Sequence, residues 1–222
     1  MKVGILFSGG KDSMYATLLA KKMGYEVECL ITLKSKNKES FMFHTPAIEL
    51  VEKQAEMMNL PLILRETEGE KEKELNDLKR AIEKAVVKHN IQGIVTGAVE
   101  SVYQATRIQR ICDEMKLDCF NPLWQKDQIE LLEDLVKNKF EAIISGVFAY
   151  PFDQKWLGRK IDLKFIERMK ELKEKYKINP AGEGGEFESL VVNCPLFNKQ
   201  HIKIKDIKLI GEKNSWRAEF SV

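Results

Sequence analysis

The stretch SGGKDS, residues 8–13, directly follows the apolar run Val3–Phe7, and together they decide the fold of the first half of the chain. A short apolar run bounded by glycines predicts a buried strand, and helical spacing of apolar residues over Asp12–Met23 predicts a helix after it. Adjacent glycines let the chain turn tightly and let backbone N–H groups approach a ligand closely. The first turn of the helix adds unpaired N–H donors and a partial positive charge. The loop is therefore predicted to bind a multiply charged phosphate.

The side chains of this loop suit a nucleotide phosphate, although the spacing differs from that of the usual nucleotide P-loop. That motif requires G-x4-G-K followed by Ser or Thr, whereas Asp12 follows Lys11 here. A carboxylate repels a phosphate unless a cation lies between them, so Asp12 is the predicted ligand of Mg2+ shared with phosphate oxygens. A glycine turn before a capped helix is the alternative that needs no ligand. The residues predicted to bind nucleotide here are Ser8, Gly9, Gly10, Lys11, Asp12 and Ser13.

Strand and helix patterns alternate along the first half of the chain. Strands are predicted at residues 3–7, 26–33, 62–64, 93–96 and 119–123, and helices at 12–23, from Thr45-Pro46 onward, at 70–89 and at 102–115. Such alternation implies a parallel sheet wrapped by helices, with right-handed crossovers. Ligands of doubly wound sheets bind beyond the carboxyl ends of the strands, so the loops after the first and fourth strands are expected to form one site.

The pattern changes after Asn121-Pro122, which places the predicted domain boundary between residues 1–122 and 123–222. Beyond it, helices are predicted at 129–136 and 163–176, and strands at 142–147, 187–192, 202–204, 207–210 and 216–222. This mixture predicts a smaller α+β domain of ordinary size that includes the acidic motif GEGGEFES. A boundary near residue 178 is the alternative.

The composition excludes several classes of protein. The 222 residues are 44% hydrophobic and 32% charged, which is typical of a folded globular chain rather than a disordered one. Lys and Arg number 36 against 34 Asp and Glu, a balance without the signature of nucleic-acid or membrane binding. No apolar stretch approaches the ~18 residues of a membrane span, and the N-terminal apolar run is too short for a signal peptide. The four cysteines lack CxxC spacing, which argues against a zinc ribbon and a thioredoxin-type motif. Without an export signal, reduced thiols in a cytoplasmic protein are expected.

The loop at residues 8–13 resembles the PP-loop of the N-type ATP pyrophosphatases, which split ATP between its α and β phosphates. Three further stretches narrow the resemblance: SFMFHT at 40–45, GAVESVYQATR at 97–107, and GEGGEFES at 182–189 followed by CPLF at 194–197. In this order they resemble the diphthine–ammonia ligase family over essentially the whole chain. The resemblance implies a five-stranded, doubly wound, Rossmann-like parallel sheet. It also implies the compact form of the family, since longer members have additional C-terminal domains.

The resemblance implies a reaction and its partners as well. Members of the family amidate diphthine on translation elongation factor 2 with ATP and free ammonia, through an acyl adenylate, and release diphthamide, AMP and pyrophosphate. The expected ligands are therefore ATP, Mg2+ and ammonium, and the expected protein substrate is the diphthine-bearing elongation factor. Neither a membrane nor direct nucleic-acid binding is expected, and a homodimer is one candidate for the oligomeric state.

Residues in two of these stretches are candidates for contacts with ATP. Gly97 is expected to permit close approach of the backbone to the nucleotide, next to Tyr103 and Gln104. Arg107 is expected to stabilise phosphate charge during adenylyl transfer. Its alternative is a surface ion pair, and the alternative for Tyr103 is packing in the core. His44 is expected to orient ATP or to move a proton from ammonia, unless it is simply an exposed loop histidine.

Three carboxylates lie within the acidic motif: Glu183, Glu186 and Glu188. If a strand follows the glycines, Glu186 and Glu188 share one of its faces, and two like charges there are unfavourable without a cation. The candidate cations are Mg2+, ammonium and the trimethylammonium group of diphthine, while a solvated acidic turn is the alternative. The residues predicted to be catalytic are Lys11, Asp12, Arg107, Glu183, Glu186 and Glu188.

The alternative functions require chemical groups or domains that this sequence does not place at the predicted ATP site. A PP-loop sulfurtransferase that thiolates tRNA needs a nucleophilic cysteine near ATP, whereas Cys112 and Cys119 are predicted to lie in the core. A glutamine-dependent amidotransferase needs a glutaminase domain, for which this chain has no room. A non-catalytic ATP sensor only binds ATP, so it would not need a second reactive site such as the acidic motif. A quaternary ammonium group also suits an aromatic cage, for which core packing is the alternative. The candidate aromatics are Trp124, Phe148, Tyr150 and Trp156.

Overall fold

The computed structural model describes residues 1–35, 50–68 and 71–222. They form two compact units, Met1–Ser8 with Asp12–Trp124, and Gln125–Val222 with the short segment Gly9–Lys11. The stretch SFMFHT with His44, and the predicted helix start at Thr45-Pro46, lie outside the described residues. None of the described helices is both long enough and apolar enough to cross a membrane.

The first unit is built on a five-stranded parallel sheet. Its strands are β1 (Lys2–Leu6), β2 (Glu26–Ser35), β3 (Leu62–Thr67), β4 (Gly93–Val95) and β5 (Asp118–Phe120). Its helices are α1 (Lys11–Lys22), α2 (Val51–Met58), α3 (Lys71–His89) and α4 (Val102–Met115). The strand order is β3-β2-β1-β4-β5, so the order reverses beside β1, and β1 and β4 are neighbours. The predicted α/β fold is confirmed.

One face of this sheet is covered by α3 and α4. Leu78 and Ile82 of α3 and Ile108 and Cys112 of α4 are buried with Ile31 of β2 in one apolar cluster. These side chains recur at helical spacing, so each helix turns a single apolar stripe toward the sheet. The packing fixes the strands while their carboxyl ends stay available for loops.

The second unit is built on a four-stranded antiparallel sheet with two helices. Its strands are β6 (Glu141–Val147), β7 (Phe187–Asn193), β8 (Asp206–Glu212) and β9 (Ser215–Ser221), and its helices are α5 (Gln128–Lys137) and α6 (Leu163–Tyr176). The strand order is β7-β6-β9-β8, which puts β6 between β7 and β9. β6 and β9 are therefore neighbours in the sheet although β7 and β8 lie between them in the sequence.

The predicted strand at residues 202–204 is wrong. The side chain of Ile202 is buried, and its N–H donates to the carbonyl oxygen of Val192 at 2.9 Å. The residues around it form no strand in the described chain. The apolar pattern therefore reflects an anchor for one side chain in the core rather than a ladder of backbone hydrogen bonds.

Candidate active site

The loop between β1 and α1 is closed by its own serines. The hydroxyl of Ser13 accepts a hydrogen bond from the N–H of Ser8 at 3.2 Å, and the two hydroxyl oxygens lie 3.1 Å apart. Gly9 has a φ of +79°, a left-handed conformation that glycine adopts without strain. Asp12 lies in the first turn of α1, and its Oδ1 is buried. The arrangement gathers backbone N–H groups, two hydroxyls and a carboxylate at one helix N-terminus.

Gly97 allows the loop after β4 to approach the beginning of α1. A Cβ at this position would lie 2.7 Å from the backbone nitrogen of Ser13 and 2.8 Å from the backbone carbon of Asp12. The loop itself is fixed, because the hydroxyl of Thr96 accepts from the N–H of Ala98 at 3.1 Å. The close approach that requires glycine here is thus to the helix, whereas the sequence suggested approach to the nucleotide.

The segment Gly9–Lys11 is hydrogen-bonded to β7 within the second unit. The N–H of Val191 donates to the carbonyl oxygen of Gly9 at 3.1 Å, and the N–H of Lys11 donates to Oγ of Ser189 at 3.1 Å. The side chain of Lys11 is buried, with Nζ 5.8 Å from the centre of the Phe187 ring. Phosphate-loop backbone and the end of the acidic motif therefore belong to one compact unit.

Glu186 closes the loop that precedes β7. Its Oε1 accepts from the backbone N–H of Asn179 at 2.7 Å and from Nδ2 of the same residue at 2.9 Å, and its Oε2 accepts from the N–H of Gly184 at 2.9 Å. Asn179 is held in turn by Gln128 of α5, whose Nε2 donates to Oδ1 of Asn179 at 3.1 Å. The expectation that Glu186 shares a strand face and needs a cation is wrong, because the residue precedes β7 and N–H donors stabilise its charge.

Glu188 lies inside β7 and has a different environment from Glu186. It stands opposite Gly146 of β6 in the antiparallel register. Burial raises the pKa of its carboxyl group from 4.5 to about 8, while the positive charge of Arg217 lowers it. A carboxyl group with a pKa in this range exchanges protons readily near neutral pH. Glu183, in contrast, lies half-buried in the preceding loop.

Arg107 and Tyr103 stack on the surface of α4. The guanidinium carbon of Arg107 lies 3.5 Å from the centre of the Tyr103 ring, and Nη1 donates to the carbonyl oxygen of Tyr103 at 3.4 Å. Ser101 caps the helix, because its hydroxyl accepts from the N–H of Gln104 at 3.3 Å. Tyr103 is 36% exposed, so the alternative of core packing is wrong for this residue. The stack holds the planar guanidinium of Arg107 in the N-terminal half of α4.

The candidate aromatic residues of the second unit do not form a common cage. Trp156 is buried, and its ring centre lies 5.0 Å from that of Phe152 and 5.9 Å from that of Phe165. Phe148 lies beneath the guanidinium of Arg217, and Tyr150 is an exposed partner of Tyr176. Core packing is therefore confirmed for Trp156, and the ring of Phe148 is already covered by the guanidinium of Arg217.

Both halves of the chain match models of one known protein family. The family models for the diphthamide synthase N-terminal and C-terminal domains match residues 1–119 and 127–219. Diphthine–ammonia ligase of Bos taurus is 32% identical over 221 residues, which cover 91% of this chain and 82% of the bovine protein. This chain belongs to the diphthine–ammonia ligase family. The resemblance inferred from the sequence motifs is confirmed.

Members of the diphthine–ammonia ligase family differ in length. The fission-yeast enzyme of Schizosaccharomyces pombe is 34% identical over 216 residues, but this chain spans only 36% of it. Among solved structures, a predicted subunit of tRNA methyltransferase from Methanocaldococcus jannaschii is 18% identical, with a TM-score of 0.45 over 88% of this chain and 98% of its own. This chain therefore corresponds to a part of the fission-yeast enzyme, whereas it spans most of the bovine one.

Sequence reasoning missed two residues near Glu188, namely Gly146 and Arg217. Arg217 is one polar residue in the alternating pattern of β9, and Gly146 is one glycine in the apolar β6. Their proximity to Glu188 depends on the order of the strands, which no local pattern encodes.

Proposed function

We propose that this chain catalyses the ATP-dependent amidation of diphthine on translation elongation factor 2 with ammonia, in the cytoplasm, giving diphthamide, AMP and pyrophosphate. Membership in the ligase family supports the reaction class. The structural observation that supports it best is the pair of hydrogen bonds between the segment Gly9–Lys11 and β7, because they join phosphate-loop backbone to the strand that contains Glu188 within one unit. Adenylation and amidation both act on one carboxyl group, so a link between the two motifs is what the reaction requires.

The nucleotide half of the reaction is assigned to the glycine loop. Backbone N–H groups of Gly9 and Gly10, the hydroxyls of Ser8 and Ser13, and Lys11 would bind the phosphates of ATP. Mg2+ usually binds one or two carboxylates together with substrate phosphates, and Asp12 at the start of α1 suits that role. When bound, the ion would neutralise phosphate charge. Further contacts with the nucleotide are assigned to His44, Gly97, Tyr103, Gln104 and Arg107.

The acceptor half is assigned to the acidic motif. The carboxylate oxygen of diphthine attacks the α-phosphorus of ATP, and the bond to the leaving pyrophosphate breaks. Glu188 then takes one proton from ammonium, and the nitrogen lone pair of ammonia forms the C–N bond. The C–O bond breaks with its electrons leaving on AMP, whose phosphate takes the second proton from the nitrogen. Glu183 is assigned to the cationic head of diphthine, and Glu186 to holding the loop in place.

The sulfurtransferase alternative finds little support in the described cysteines, because three of the four are buried thiols and only Cys119 is partly exposed, with a pKa that its hydrogen bond with Cys112 lowers. Cys112 is fully buried, and its hydrogen bond with Cys119, together with burial, raises its pKa strongly. A thiol with a raised pKa is a poor nucleophile at neutral pH. Burial likewise raises the pKa of Cys29 and of Cys194 to about 12. Cys29, Cys112 and Cys194 are therefore better explained as small apolar core residues.

The first expected result concerns the bond that is cleaved. With diphthine-bearing elongation factor, ATP, magnesium and ammonium, the products should be AMP and pyrophosphate in equal amounts. The elongation factor should change in mass by the conversion of an acid to an amide. Nucleotide chromatography and intact-protein mass spectrometry measure both. Reactions without elongation factor or without ammonium are the controls, and ADP with phosphate as products would contradict the assignment.

The second expected result concerns Asp12. Asp12→Ala should reduce adenylation about a hundredfold or more and weaken its dependence on magnesium. The protein should stay folded, because alanine is the best helix former and losing an acidic residue from the first turn of a helix costs only about 0.3–1 kcal/mol. Single-turnover release of pyrophosphate across a magnesium titration measures this. Asp113→Ala is the matched control, since Asp113 is an exposed residue of α4 that accepts from Gln109. Wild-type turnover by the Asp12 variant would move the phosphate site elsewhere.

A further inference from the structure

Glu188, Gly146 and Arg217 form a row across three neighbouring strands of the second unit. Glu188 of β7 is opposite Gly146 of β6, and Arg217 of β9 is opposite the same glycine from the other side. Residues directly opposite in an antiparallel sheet project from the same face. Glu188 and Arg217 are therefore separated only by Gly146, which has no side chain, and their own side chains can meet above it.

Phe148 supports the arginine in this row. It lies two residues beyond Gly146, so its side chain is on the same side of the chain, and the guanidinium carbon of Arg217 is 4.8 Å from the centre of its ring. Arg217 is half-buried, and its Nε is buried. A guanidinium stacked on an aromatic ring is held in one orientation, so its charge acts on neighbouring groups from a fixed place.

Charged side chains of β8 and β9 share this face of the sheet, among them Lys208 and Glu219, which pair with each other at 3.5 Å. Nearer to Glu188 in the register, Gly146 of β6 and Phe148 just beyond β6 are uncharged, and the carboxylate of Glu186 is stabilised by N–H donors of its own loop. Lys11 is the cation of the segment that pairs with the other edge of β7, where its N–H binds Ser189. Arg217 is thus the cation in the row of residues that crosses the sheet from Glu188 through Gly146.

We propose that Arg217 is a positioning residue of the amidation reaction, whose stacked guanidinium reaches over Gly146 and keeps the Glu188 carboxylate available as a proton acceptor. The inference rests on the proposed function. Burial alone would favour the protonated acid, and a protonated Glu188 cannot take a proton from ammonium. Arg217 opposes burial, so it sets the lowest pH at which the acceptor works.

The test is the titration of Glu188 by 13C NMR of protein labelled at the glutamate carboxyl carbons, with the signal assigned by its loss in Glu188→Gln. Arg217→Met should move the titration midpoint upward by about one pH unit or more, because an adjacent opposite charge lowers a carboxyl pKa by about 1–3 units. Arg217→Lys should give an intermediate midpoint. Arg159→Met is the matched control, since Arg159 stacks on Trp156 at 4.7 Å in the same unit.

The second readout is the pH profile of single-turnover amidation. In Arg217→Met its acidic limb should move upward with the midpoint, and the rate should recover at higher pH. A midpoint that does not move, or a rate lost equally at every pH, would overturn the proposal. The carboxyl titration needs no substrate, so it decides the coupling of Arg217 and Glu188 separately. Absence of amidation in the wild-type chain would count against the proposed function alone.

Discussion

Glu188→Gln is expected to lower the rate of amide formation about a hundredfold or more while leaving the affinity for ATP nearly unchanged. A positioned general base contributes about 10²–10⁴-fold to a rate, and glutamine has the same size but cannot accept the proton. Phosphate contacts are assigned to the glycine loop, so binding of ATP should survive. Single-turnover amidation and calorimetry of ATP binding measure the two effects. Unchanged amidation would leave the carboxylate with a structural role only.

The same variant should be more stable than the wild type at alkaline pH. The pKa of Glu188 is raised in the folded state to about 8 from 4.5, so the folded chain holds this proton more tightly than the unfolded chain. The stabilisation by the protonated acid is complete below the unfolded pKa and is lost as the pH rises through about 8. Glutamine removes that loss, which is worth about 2–4 kcal/mol above the folded pKa. Urea unfolding at about pH 9 and about pH 5 tests this, with the difference expected only at the higher pH.

Glu186→Gln is the companion to these measurements, because its carboxylate accepts three N–H hydrogen bonds instead of titrating in a strand. We expect it to lower stability and amidation together, since glutamine replaces one acceptor oxygen by a donor and loosens the loop. Opposite signs of the stability change in the two variants at alkaline pH would separate a holding role from a proton-accepting role. Equal signs would contradict that division.

Gly97→Ala should produce the second large effect. The new methyl group would lie within 3 Å of the backbone of Asp12 and Ser13, which cannot rotate away as a side chain can. Relieving such a contact requires moving the loop or the start of α1, at a cost of about 1–3 kcal/mol or more. Because α1 begins the phosphate site, the affinity for ATP should fall with stability. Thermal unfolding and nucleotide calorimetry measure both.

Gly24→Ala is the control for Gly97→Ala. Gly24 has a φ of +83°, and a Cβ there would meet no atom within 4 Å, so the substitution introduces backbone strain without a steric clash. Its expected cost is about 1 kcal/mol, with ATP affinity unchanged. A Gly97 variant no less stable than the Gly24 variant would show that the loop and α1 are not pressed together.

Much of the fold follows from local sequence patterns. The predicted helices at 102–115 and 163–176 coincide with α4 and α6, because apolar spacing and polar N-caps at Ser101 and Asp162 are properties of neighbouring residues. The prediction of a strand at 202–204 was wrong, because three residues that alternate in polarity do not show whether a neighbouring strand is present to pair with them. Local pattern also identified the glycine loop and the acidic motif.

The arrangement inside the candidate site required the tertiary structure. Glu186 and Glu188 differ by two positions in one motif. Glu186 accepts backbone N–H groups from residues 179 and 184, whereas Glu188 lies in β7 opposite Gly146, with its Oε2 buried. Which partners a carboxylate meets depends on how the loop folds. Arg217 is 29 positions beyond Glu188, and only the order β7-β6-β9 brings them to adjacent places. Pairing order is a long-range property that periodicity does not encode.

The hydrogen bonds between Gly9–Lys11 and β7 have a consequence for folding during synthesis. The N–H of Lys11 and the hydroxyl of Ser189 are separated by 178 positions, so the loop is translated long before the strand that it contacts. At about 5–20 residues per second, that interval lasts on the order of ten to forty seconds. Until β7 has been made, a nascent chain therefore has the glycine loop without the hydrogen bonds that β7 contributes.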